Sequence, residues 1–132
     1  MLTEGQGSPL VAEVTAANVN DGTRLERLVD GIPPIRRPLG RPRRRPHKLH
    51  ADKAYDYACY RALLRQRGIV PRIARKGIES SERLGRYRWK GERPLAWLHQ
   101  CRRLRIRYER RVELHQAFLS LACALICWNF LQ

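Results

Sequence analysis

The chain has 132 residues, with 27 lysines and arginines against 12 acids and a net charge of +15. That length suits one compact domain with a real core and leaves little room for two independent ones, while the arginine-dominated charge points to a polyanionic partner, nucleic acid before membrane. Four cysteines, Cys59, Cys101, Cys123 and Cys127, form no CxxC pair and show no zinc spacing, and no charged-then-apolar leader is present, so a disulfide scaffold, a zinc site and secretion are set aside in favour of reduced core cysteines and the cytoplasm.

In chain order, "LVAEVT" at residues 10–15 alternates apolar and polar as a half-buried strand does, and Asp21 offers an N-cap to a short helix through Leu25, Leu28 and Val29. Residues 33–47 then change character, with five prolines and six arginines between Pro33 and Pro46. Such density excludes regular structure and leaves a stiff cationic loop, either a linker or a set of phosphate contacts in Arg36, Arg37, Arg41, Arg43, Arg44 and Arg45. "HKLHAD" closes on Asp52, and a helix follows with apolar positions at Tyr57, Tyr60, Leu63 and Leu64 until Gly68 stops it. "IVPRIA" reads as a short strand whose Pro71 requires an edge or a strand end. "ARKGIESSERLGRYRWK" looks like an open loop, in which Trp89 could stack on a base or simply pack.

A helix from about Glu92 to Tyr108 gathers Trp97, Cys101, Leu104 and Tyr108 on its core stripe, with Glu92, Ala96, His99 and Arg103 opposite. "AFLSLACALICWNFL", Ala117 to Leu131, falls short of the roughly 20 apolar residues a membrane span needs, so residues 112–131 read as a buried C-terminal helix and no membrane partner is expected. The order β, α, β, α, β and then two helices predicts an α/β fold, a mixed sheet with flanking helices and a C-terminal helical pair.

Two acids stand out. Asp52 closes a strand, where ligands collect in α/β sheets, although turn aspartates are common there. Glu92 heads a helix, where an acid also interacts favourably with the helix dipole. In so basic a chain the pair would suit Mg²⁺, a hard cation that takes one or two protein carboxylates and completes its shell with phosphate and water. Two such ions about 3.5–4 Å apart activate an attacking oxygen and stabilise a leaving one.

"LHADKAYDYACYRALLRQRGIVPRIARKG", the later "LGRYRW..ER.LAWLHQCRRLRIRYERR" and "AFLSLACALICW" resemble the C-terminal catalytic region of bacterial insertion-sequence transposases of the DDE class, in the insertion-sequence-five family. The likeness runs from "GSPLVAEVTAANVND" to the end. It implies a partial ribonuclease-H-like fold, Asp52 as the second acid of the triad and Glu92 as the third, Mg²⁺ or Mn²⁺ as cofactor, and DNA cleavage and strand transfer as the reaction. Arg93 matches the family as well, and with Arg102 and Arg103 it joins the arginines that would neutralise phosphates. Three departures follow. The first catalytic Asp lies upstream of the segment matched here and only nine residues precede Leu10, so the chain is expected to be inactive alone, its missing acid supplied by an upstream-frame transposase polypeptide. Lys90 and Gly91 replace apolar residues before the acid, and Pro94 replaces a threonine after the arginine. The alternatives are a non-catalytic basic nucleic-acid-binding module and a non-functional transposase remnant, and a homo-oligomer is compatible with each.

Overall fold

A tight turn built on Glu4 joins the first two strands. One Glu4 carboxylate oxygen accepts the N–H groups of Gln6 at 2.7 Å and Ser8 at 3.1 Å. The strands are β1 (Leu2–Thr3) and β2 (Pro9–Val11), paired antiparallel with Leu2 opposite Val11. This computed structural model describes residues 1–16, 18–36, 38–75, 77 and 92–132. The chain divides into two compact units, one made of Met1–Asn18 with Arg88–Gln132 and the other of Val19–Tyr87.

In the Val19–Tyr87 unit, the cap falls one residue before the expected position. Asn20 accepts the Gly22 N–H through its side chain at 2.9 Å and opens a 3₁₀ turn, Asp21–Arg24, which runs into α1 (Leu25–Asp30). Asparagine is as good a cap as aspartate, so sequence alone cannot choose between neighbours. Leu25, Leu28 and Val29 are buried as their spacing requires. Gly22 lies against the Tyr60 ring so closely that a Cβ there would come within 2.6 Å of it. The Pro/Arg-rich stretch holds one antiparallel bridge, Ile35 with Arg43, both backbone hydrogen bonds being 2.8 Å.

β3 (Lys48–Ala51) and β4 (Val70–Ile73) form a parallel pair with Leu49 opposite Pro71. Parallel neighbours need a crossover, and α2 (Ala58–Gln66) supplies it. Leu64 is fully buried on α2, and Leu49, Ile69, Ile73 and Ala74 are buried around it in the same unit. Gly68 takes φ +69° just past the helix, the left-handed conformation that ends it without a Cβ penalty. Arg67 binds α1 to the end of α2, with Nη2 at 2.7 Å from Glu26 and at 3.0 Å from Asp30. Those bonds hold the Asp30 carboxyl below its ordinary value.

The other unit corrects the long helix expected from Glu92 to Tyr108. Residues 92–100 are helical (α3), Cys101 leaves the helical region at ψ 109°, and α4 covers only Arg102–Arg105 before Ile106 becomes extended. The bend at Cys101 lets Trp97 and Leu98 on one side and Leu104 on the other meet the same core, formed with Ala122 and Ile126. Tertiary packing thus overrides the continuous wheel, and Tyr108, placed on the core stripe by periodicity, is exposed. Leu98, which the wheel passed over, is buried. Pro94 is buried within α3.

α5 spans Val112–Asn129. By length and composition α5 is long and apolar enough to cross a membrane, and the buried C-terminal helix expected over residues 112–131 is corrected, since most of α5 is exposed. Ala122 and Ile126 are buried on one face, while Leu121, Leu125 and Trp128 are exposed on another. Gln116 clamps the segment after β2, its Oε1 accepting the Val14 N–H at 2.8 Å and its Nε2 donating to the Ala12 carbonyl at 2.9 Å. The expected strand to Thr15 stops at Val11 because this side chain, rather than another strand, takes the next backbone groups. The α/β class stands, but in place of the single mixed sheet expected the described residues form two separate two-stranded sheets, one antiparallel and one parallel, because each pair lies in a different unit of the chain.

Candidate catalytic and nucleic-acid-binding residues

Asp52 sits directly after β3, at the carboxyl end of the parallel pair, and is exposed. Its side chain accepts the Lys53 N–H and caps the 3₁₀ turn Lys53–Tyr55. A carboxylate has about four lone-pair positions, so one capping bond leaves donor capacity for a cation. Four residues on, Asp56 receives two bonds from Arg61, from Nε at 2.9 Å and Nη2 at 2.6 Å, and the same Nη2 donates to the Ile73 carbonyl at 2.9 Å. The fork ties the loop after Asp52 to the end of β4 and fixes the backbone that carries Asp52. The spacing Asp56 to Arg61 is five residues, outside the three- or four-residue spacing that flags helical ion pairs, which is why periodicity overlooks it.

Glu92 is exposed on α3, in the other unit, and Ala96 and His99 are exposed with it, as the wheel requires. Arg93 stacks its guanidinium over Trp97 at 4.9 Å. Lys90, Gly91 and Trp89 lie outside the described residues, as does Arg37. Among the described residues, no three of His, Cys, Asp and Glu come together as a metal-holding group. Each of the two carboxylates, Asp52 and Glu92, is a hard oxygen donor of the kind that a magnesium or manganese ion takes.

The arginines fall into different circumstances. Arg36, Arg41, Arg44 and Arg45 are exposed, while Arg43 is half-buried in the bridge with Ile35, its Nε donating to the Arg45 carbonyl. Arg102 is exposed. Arg103 is engaged within the protein, with Nη1 2.6 Å from the Glu109 carboxylate and its guanidinium 5.3 Å from the Phe118 ring centre. The Glu109 side chain is only 6% exposed, and His115 Nδ1 lies 3.6 Å from its other oxygen. Arg103 holds the Glu109 carboxyl below its ordinary value. Glu109 was passed over because an acid set among arginines reads as a solvated charge; its burial depends on the break after α4.

A transposase DDE domain matches residues 1–127, and the chain belongs to that family. It is 53% identical over all 132 residues to a putative transposase for insertion sequence element IS402 from Burkholderia cepacia, of which it spans 63% of the length. No solved structure matches it.

Proposed function

We propose that this chain acts in DNA transposition, as the C-terminal part of a ribonuclease-H-like catalytic domain that cuts a DNA strand and joins the freed 3′-hydroxyl to target DNA. The observation that carries the reading is the family match over residues 1–127 together with an exposed Asp52 at the carboxyl end of a parallel strand. Asp52 and Glu92 would hold divalent cations, Mg²⁺ or Mn²⁺, which supply Lewis-acid chemistry at the scissile phosphate. The residues around Asp52 have a separate task. The Lys53 N–H and the Arg61–Asp56 fork hold the carboxylate's backbone in place, so that its aim does not depend on the ligand. The exposed arginines Arg36, Arg41, Arg44, Arg45 and Arg102 would neutralise phosphates, and Arg37, Arg43, Arg93 and Arg103 are proposed to add to that attraction.

The chain spans 63% of the length of that relative. A second reading, a basic nucleic-acid-binding module without chemistry, draws on the net charge of +15 alone.

Iron-directed cleavage of the polypeptide separates the two. With Fe²⁺ in place of Mg²⁺ and a peroxide, radicals cut the backbone beside bound metal. Cuts clustered near residues 52 and 92, both lost in Asp52→Asn, are expected of a shared site. Cuts at one place only, or none above background, would leave the binding module as the better description.

A further inference from the structure

The segment between α4 and α5 exposes two large apolar side chains among arginines. Ile106 is 53% exposed and Tyr108 54% exposed, on a stretch that is extended at both ends, Ile106 at φ −124° and ψ 121° and Arg111 at φ −81° and ψ 130°. In extended backbone, alternate side chains share a side. Ile106 and Tyr108 are both exposed two residues apart, while Glu109 turns inward to Arg103. Arg107 folds back on the segment, Nε donating to the Glu109 carbonyl at 2.9 Å and Nη2 to the Arg110 carbonyl at 3.4 Å, and so holds its shape. With Glu109 withdrawn, no acid faces outward from residues 102–111, and Arg102, Arg105, Arg107, Arg110 and Arg111 are all exposed there.

We infer that Ile106 and Tyr108 form a stacking site for an unpaired nucleic-acid base, with the surrounding arginines holding the phosphates on either side. The site rests on the reading of this chain as a DNA-handling transposase part and adds to it what the surface recognises. Three features carry it. Ile106 and Tyr108, both more than half exposed, offer a flat ring and a neighbouring aliphatic side chain for one base to pack against. An aromatic face next to guanidinium groups offers stacking without regard to base identity. A paired duplex keeps its bases stacked inside and offers this pair of side chains nothing, so the preference is for unpaired strands, the species that cutting a duplex creates.

The test uses the whole chain with three oligonucleotides carrying 2-aminopurine: a single strand, a duplex with an unpaired overhang, and a fully paired duplex. Stacking on Tyr108 changes the fluorescence of the first two and not the third. Tyr108→Ala is expected to weaken binding of the unpaired forms about ten-fold while leaving duplex affinity within about two-fold, and Tyr108→Phe should bind as the parent does. The salt dependence of Tyr108→Ala should equal that of the parent, whereas Arg110→Gln should lower the slope by about one. Because Tyr108 is over half exposed, the melting temperature of Tyr108→Ala should match the parent's and exclude a folding effect. Equal affinity of Tyr108→Ala and parent for unpaired strands, or equal loss on duplex and single strand, overturns the stacking site while leaving salt-dependent DNA binding intact. A parent chain that binds none of the three in a salt-dependent way overturns the underlying DNA reading, and this site with it.

Discussion

Asp52 serves two purposes that substitution can separate. As a cap it accepts the Lys53 N–H, and as an exposed carboxylate it is the proposed metal ligand. Asparagine keeps the cap and removes the charge, so Asp52→Asn should leave stability within about 0.5 kcal/mol of the parent while abolishing Mn²⁺ binding, read by titration calorimetry. Asp52→Ala should lose the metal and about 1 kcal/mol besides. Unchanged Mn²⁺ affinity in both would remove Asp52 from the site. The core offers a plainer test at Leu64, which is 0% exposed. Leu64→Ala should cost about 2–5 kcal/mol in urea denaturation, since the methyl groups leave a cavity that α2 and β4 cannot close. The cysteines show where residue type misleads: Cys59, expected in the core, is exposed, whereas burial pushes the Cys123 thiol up. A small apolar residue fits either environment, and only packing selects one.

At the scale of elements, the non-helical chain is held by side chains that act as missing backbone partners. Gln116 does for Ala12 and Val14 what a neighbouring strand would do. Replacing it with methionine keeps the volume and deletes both bonds, so Gln116→Met should lower stability by about 1–2 kcal/mol and raise amide exchange at Val14. Unaltered exchange there would mean that water substitutes fully. The Arg103–Glu109 bond gives the segment after α4 a pH dependence of definite sign. A carboxyl whose pKa is depressed in the folded chain contributes stability above its unfolded value, near pH 4.3, and that contribution is lost as the pH falls through the lower folded value. Melting temperature should therefore fall less between pH 5 and pH 3 in Glu109→Gln than in the parent. Parallel profiles would show that Glu109 does not contribute to acid sensitivity.

For the whole molecule, the charge of +15 predicts behaviour that no single residue does. DNA affinity should fall by orders of magnitude between low and moderate salt, and do so equally in Asp52→Asn, because released counterions and not the metal supply the driving force. A flat salt response would argue against phosphate contacts. The chain alone, with Mg²⁺ or Mn²⁺, should not cut labelled duplex, since the proposed triad needs an acid besides Asp52 and Glu92. Robust cutting would contradict the claim that an acid is missing.

How much of this was open to sequence follows from the range of each interaction. Alternation and helical spacing act over one or two turns, so the burial of Leu25, Leu28 and Leu64, the end of α2 at Gly68 and the strand before Asp52 could all be read from residue order, and the family likeness from motifs. The bend at Cys101 could not. Neither could the withdrawal of Glu109 or the clamp at Gln116, because each depends on groups brought together from different elements: Leu98 with Ile126, Arg103 with Glu109, and Gln116 with Val14. Residue order determined which chemistry the chain could carry, while three-dimensional packing decided which charges are spent on holding the protein together and which face outward to a partner.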